Sequence, residues 1–167
     1  MRRLIMNVFE FAMQMEKDGE AFYRQIAAKT KNPGLQKIFT TLADEEVEHY
    51  KTFKKYYEKT PVPVSESNVF DKVKNIFVEL KDAGGLDVTA ETPQTEAYQK
   101  AMEAEKEAYT FYEKKAAETD SADEKQVFLA FAKEERRHYR LLENVIDFVA
   151  RPQEWLENAE FAHMGEF

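Results

Sequence analysis

No cysteine occurs anywhere in the 167 residues, which removes disulfides, thiolate-bound zinc, iron–sulfur clusters and thiol catalysis from consideration. Carboxylate and imidazole are left as the strong metal ligands. No cluster of Lys and Arg is long enough to grip a polyanion, and the formal charge is -8, so neither nucleic acid nor a membrane is expected as a partner. No apolar run approaches the length of a membrane span. Met1-Arg2-Arg3 does precede an apolar stretch, but Asn7 and Glu10 break it too early for a secretory core. A cytoplasmic protein is the expectation. Low-complexity tracts are absent too, and with 43% apolar residues a chain of this length can bury one real core.

What the chain does have is a duplicated ligand pattern. Glu46/His49 and Glu135/His138 are Glu-x-x-His pairs 89 positions apart, and each is preceded at a distance of 30 positions by another glutamate, Glu16 and Glu105. The same offset lays Ala12-Met13 on Ala101-Met102, Lys17 on Lys106, Phe22-Tyr23 on Phe111-Tyr112, and Glu45-Glu46 on Glu134-Glu135. An internal repeat at one fixed offset lets a single sequence serve as its own alignment.

Helical periodicity places the pattern. The first segment runs from about Leu4 to Lys29 with a stripe of Val8, Ala12, Glu16, Gly19, Tyr23 and Ile26. The second opens at Asn32-Pro33, a capping residue followed by proline at the first helical position, and carries Leu35, Ile38, Leu42, Glu46, His49, Phe53 and Tyr56. A third opens at Thr92-Pro93 with the stripe Tyr98, Ala101, Glu105, Ala108, Tyr112, Ala116. The fourth opens at Ser121, where Glu124 completes a capping box, and runs through Phe128, Phe131, Glu135, His138, Leu142, Val145 and Val149 to Pro152. Within each Glu-x-x-His, three residues turn the helix by about 300°, so both side chains share one face.

These segments predict an all-α four-helix bundle over residues 1–150. A long crossover at about 60–91 leaves the second and third helices parallel, and residues 151–167 form a C-terminal tail. Pro61 and Pro63 open the crossover; Phe70, Val73, Ile76/Phe77 and Leu80 suggest a short helix ended by Gly84-Gly85. With turns near Lys31 and Asp120, the two glutamates of each half reach the same height in the bundle.

Four bare carboxylates in a core cost several kcal/mol apiece unless cations sit among them. Against two divalent ions the four charges sum to zero, and two neutral imidazoles complete the shells. A single Glu-x-x-His on a charged helix is commonly a solvated pair. Two in register, each with a core-facing glutamate, form the constellation that di-iron and di-manganese bundles use. Metal ligands are therefore expected at Glu16, Glu46, His49, Glu105, Glu135 and His138. Glu45 and Glu134 fall off the stripes and are expected at the surface, Glu20, whose repeat mate is Tyr109, is expected either in solvent or beside the ligands, and Phe22, Phe39, Phe111 and Phe128 are expected in the core.

The pattern of Glu, a small residue three on and Tyr seven on, as in Glu16/Gly19/Tyr23 and Glu105/Ala108/Tyr112, each followed by a helix with Glu-x-x-His, resembles the rubrerythrin branch of the ferritin-like superfamily over nearly the whole chain. The resemblance implies that Glu46 and Glu135 bridge two metal ions which His49 and His138 cap. It places Tyr23 and Tyr112 in the catalytic machinery as hydrogen-bond donors beside the ligands. The cofactor implied is two iron ions, with manganese or zinc as alternatives. Two departures stand out. The family's extra glutamate, three residues after the third-helix ligand, is Ala108 here, which puts in question the redox-linked ligand exchange of that family; and no rubredoxin cysteines are present, so a separate electron-donor protein, such as a rubredoxin-like one, is expected.

The implied activity is a di-iron oxidoreductase reducing hydrogen peroxide or dioxygen, in a homodimer. The alternatives are a ferroxidase handling iron as ferritins do, or a metal-stabilised binding protein without turnover. In the tail, Glu160 and His163 make a third Glu-x-x-His, and Trp155 and Phe161 are expected to dock on the bundle or a neighbouring subunit.

Overall fold

A computed structural model describes residues 7–59, 72, 75, 76 and 94–151, over which every regular element is helical. Helix α1 spans Val8–Lys29, α2 Pro33–Tyr57, α3 Thr95–Glu118 and α4 Ala122–Ala150. Each start has a local cause. The Asn7 side chain accepts the Phe9 N–H at 2.8 Å, and Asn32 accepts that of Leu35 at 3.0 Å, with Pro33 occupying the first turn where no donor is needed. Ser121 accepts the Glu124 N–H at 3.3 Å, but only half of the expected capping box forms. The Glu124 carboxylate is taken by the Thr119 hydroxyl at 2.7 Å, a neighbour that the box pattern does not count.

Helix α3 departs from expectation: it begins at Thr95, with Gln94 in the cap position making no side-chain cap bond, while Thr92 and Pro93 lie outside the described residues. Gln94 instead donates to the Thr30 hydroxyl at 3.5 Å, tying the start of α3 to the end of α1. At the other end of these two helices Phe11 meets Phe111, with ring centroids 4.9 Å apart. So α1 and α3 run antiparallel. Because the short Thr30–Asn32 turn also sets α1 against α2, helices α2 and α3 run parallel, which is the all-α, ferritin-like arrangement with a crossover between its second and third helices. Of the crossover, Lys72, Asn75 and Ile76 are described; all three are helical and Ile76 is buried. Leu4, the rest of the crossover expectation and the tail with Trp155, Glu160, Phe161 and His163 lie outside the described residues.

Two apolar layers form the core, and a polar layer separates them. One gathers Ile26, Leu35, Phe39, Tyr98, Leu141 and Phe148; the other gathers Phe9, Phe53, Tyr112, Phe128 and Phe131. Each buried Leu or Phe contributes about 1.5–3 kcal/mol, and these layers together offset the cost of the polar side chains between them. The stripe of α3 is buried at all six expected positions. On α1 Phe9 rather than Val8 is buried, because its ring stacks on Tyr56 at 5.8 Å and Phe128 at 5.7 Å. On α4 Phe148 takes the place expected for Val149. Phe22 and Phe111, expected in the core, are only partly buried, for a reason that the centre makes clear.

Candidate metal centre

All six expected ligands are buried, and they converge in the polar layer from four helices: Glu16 from α1, Glu46 and His49 from α2, Glu105 from α3, Glu135 and His138 from α4. They form two overlapping sets, Glu16/Glu46/His49/Glu135 and Glu46/Glu105/Glu135/His138, within each of which one ligand atom per residue lies within 4.8 Å of the others. Glu46 and Glu135 belong to both.

The contacts cross between the two halves of the repeat. His49 Nδ1 lies 3.1 Å from Glu135, and its repeat mate His138 Nδ1 lies 3.0 Å from Glu46. His49 stands 3.4 Å from Glu16 and His138 3.3 Å from Glu105. Tyr112 donates its hydroxyl to Glu16 at 2.6 Å, and Tyr23 donates to Glu105 in a short hydrogen bond. The duplication is thus visible as geometry, a pseudo-two-fold axis through the centre.

Whether the group of residues suits metal can be judged from its own polar atoms. Buried His138 Nε2 has no hydrogen-bond partner, and the buried oxygens Glu46 Oε1, Glu16 Oε2 and Glu135 Oε2 make no well-formed hydrogen bond and have only imidazole nitrogens near them, at 3.0, 3.4 and 3.4 Å. Carboxylate oxygens so poorly satisfied are costly in a core, and a cation is the partner that would relieve several at once. Protons show the same demand. Burial, then the charges of Glu135 and Glu16, raise the Glu46 carboxyl well above its ordinary range; burial and Glu135 raise Glu105 to about 8. Burial alone would lower both imidazoles, but Glu135 and Glu16 outweigh it and raise His49 to about 10, while Glu105, Glu135 and Glu46 raise His138 well above its usual value. Glu135 is the exception, since burial acts upward yet His49 and His138 hold it well below the carboxylate range. Positive charge is gathered as protons where two ions would supply it. Burial followed by the nearby glutamates raises Tyr23 and Tyr112 too, so both remain protonated donors.

Sequence reasoning missed two neighbours. Glu45, half-buried rather than on the surface, brings an oxygen within 4.8 Å of ring nitrogens of His49 and His138. Glu134, its repeat mate, is buried, with one oxygen 2.8 Å from Arg137 and the other without a hydrogen bond. The signal was present: Val127, Glu134, Leu141 and Phe148 recur every seven residues, a second buried row beside the ligand stripe of α4. Glu20 is half-buried too and pairs with Arg24 at 2.9 Å, away from the ligand groups.

Around the centre the packing is uneven. On the α2–α4 side the His49 and His138 rings stack at 5.5 Å, and the edge of Phe131 meets His49 at 5.1 Å. Between α1 and α3 the small residues Gly19, Ala101, Ala104 and Ala108 leave a cleft of about 620 Å³ that reaches Glu16, Glu46, Glu105 and Glu135. Phe22 and Phe111 are partly exposed because they line it. No helix of the described residues is long and apolar enough to cross a membrane.

A family model described as Rubrerythrin matches residues 7–146. No curated protein and no solved structure matches the chain significantly.

Proposed function

Because the chain belongs to the rubrerythrin family, we propose that it is a non-haem di-iron oxidoreductase reducing hydrogen peroxide or dioxygen at a carboxylate-bridged pair of metal ions. One observation carries the reading: Glu46 and Glu135 stand in both ligand sets. A carboxylate common to two sets could serve two ions at once. Glu16 and His49 would hold one ion with them, and Glu105 and His138 the other. Two ferrous ions held there would supply one electron each to an O–O bond.

The chain's own residues do the rest. Tyr112 and Tyr23 each hold one oxygen of Glu16 and Glu105 by a hydrogen bond and so fix how these carboxylates are turned toward the centre. Phe53 and Phe131, stacked at 4.0 Å, keep water from one side. The cleft admits the oxidant on the other. Both tyrosine hydroxyls keep their protons at neutral pH, because burial and the neighbouring glutamates disfavour the phenolate, and so remain hydrogen-bond donors to the carboxylates. These 167 residues hold no cysteine to bind a rubredoxin iron, so the reading assigns the supply of electrons to a rubredoxin-like donor or a diffusible reductant rather than to the bundle itself.

Anaerobic titration with ferrous ion followed by peroxide tests the reading. Two ions per chain should bind and be oxidised by one peroxide; Glu46→Ala and Glu135→Ala should each lose both ions, and Glu16→Ala only one. If the two bridging-residue variants bind and react like the parent, the assignment is wrong.

A further inference from the structure

The cleft between α1 and α3 is far larger than hydrogen peroxide needs. A water molecule claims about 30 Å³ of liquid and a peroxide not much more, whereas the cleft holds about 620 Å³, within the range of sites for organic ligands. Its floor is the four glutamates of the centre and Tyr23. Its walls are Phe11, Met15, Phe22 and Phe111. An apolar hollow that ends on the reacting atoms is built for a molecule with a hydrocarbon body and a reactive end.

Comparing the two halves of the repeat shows that the hollow does not follow from the duplication alone. Phe22 and Phe111 are repeat mates, as are Asp18 and Glu107, but Phe11 is matched by Lys100 and Met15 by Ala104. At one end Phe11 closes against Phe111. At the other, where symmetry would call for a second large apolar pair, Ala104 and Lys100 leave the wall low beside Phe22. The hollow is thus widened at one end by substitution to a smaller side chain. Charge narrows the class of occupant: Asp18 and Glu107 stand at the rim over a floor of carboxylates, and the rim's Lys100 lies 3.4 Å from Glu96. An anionic head group is repelled there, and an uncharged one is not.

We propose, resting on the peroxidase reading above, that the cleft binds uncharged alkyl or aryl hydroperoxides, with the hydrocarbon against Phe22, Met15 and Phe111 and the –OOH end on the centre. The reaction balances as ROOH, two electrons and two protons giving ROH and water. The O–O bond breaks, each oxygen takes one proton, and two ferrous ions each give one electron and become ferric.

The test uses the full chain and the variant Ala104→Met, which places the residue of the other half in the widened end; Ala104 is exposed, so the fold tolerates it. In the first arm the zinc-loaded, redox-silent protein, labelled with ¹³C at its methionine methyls, is titrated with 2-phenyl-2-propanol, the alcohol left by cumene hydroperoxide. The Met15 resonance should shift saturably in the parent and at least tenfold more weakly in the variant. In the second arm the ferrous protein is oxidised anaerobically by cumene hydroperoxide or hydrogen peroxide, and the ratio of the two rates should fall at least tenfold in Ala104→Met. No saturable shift at Met15, or a rate ratio that the variant leaves unchanged, overturns the proposal. So does a Met15 resonance that responds to protein concentration and not to the alcohol, since a second copy would then occupy the cleft. If neither peroxide oxidises the ferrous protein, the peroxidase reading is what fails, and the titration still decides whether the cleft takes the organic ligand.

Discussion

Replacing Gly19 by alanine should stabilise the metal-free protein and weaken metal binding, a reversal of sign that few single substitutions offer. Glycine inside a helix costs about 1 kcal/mol relative to alanine, so the helix alone favours the change by that amount. Space opposes it. A Cβ built on Gly19 would lie 3.1 Å from Glu46 Oε2 and 3.4 Å from its carboxyl carbon, so the carboxylate must give way by a few tenths of an ångström. Without metal, Glu46 is the end of a flexible side chain and moves at little cost, leaving most of the gain. With two ions in place the same carboxylate is held at both oxygens. It cannot yield without lengthening a metal bond, and a loss of about 1.4 kcal/mol would appear as a tenfold weaker affinity. Urea melts followed by circular dichroism, with and without metal, together with competition against a chelator, measure both halves. Ala108, which occupies the equivalent place in the repeat and already has its Cβ, supplies the control: Ala108→Gly should only lose helix stability, by about 1 kcal/mol in either state. Should Gly19→Ala stabilise the loaded and metal-free proteins equally, Glu46 does not bridge ions beside Gly19.

Two further outcomes follow from the centre. In the metal-free protein Glu105 is raised from 4.5 to about 8 and His49 from 6.5 to about 10, so the fold holds protons that the unfolded chain releases; that stability is present at low pH and is lost as pH rises through these values. Thermal melts of metal-free protein should therefore fall between about pH 4.5 and 10, while metal affinity rises over the same window because ions displace those protons; a flat melting profile would count against the cluster being protonated. Tyr112→Phe removes the 2.6 Å bond to Glu16 and, at about 1.5–3 kcal/mol for a bond to a charged group, should speed release to a chelator of one ion out of two, leaving the other unchanged. Equal acceleration of both ions would show that the tyrosine does not act through Glu16.

How far the sequence could be read depended on whether a residue's place is set by its own helix or by a neighbour. The α3 stripe was legible in full, because six residues at helical spacing share one helix face, which meets both apolar layers and the polar layer between them. The burial and convergence of the six candidate residues were legible because the repeat showed each twice. Phe9 was not, since its burial depends on stacking with Tyr56 and Phe128 from two other helices. Glu134 was misplaced because α4 buries two adjacent rows rather than one, a width that depends on how closely α3 and the core pack against it. The start of α3 was displaced for a similar reason: Gln94 makes its bond to Thr30, across the bundle, in place of a local cap. The cleft is a matter of missing volume between two helices, which periodicity does not report.

The crossed pairs, Tyr112 with Glu16, Tyr23 with Glu105, His49 with Glu135 and His138 with Glu46, mean that neither helical hairpin alone holds all the residues of the proposed centre. Metal capture thus reads out the meeting of the hairpins, not the formation of either. A half-length fragment of this chain could assemble the same site only by pairing with another around the axis, and the linking segment serves to make that encounter intramolecular, so that one polypeptide does at any dilution what two would do only when concentrated.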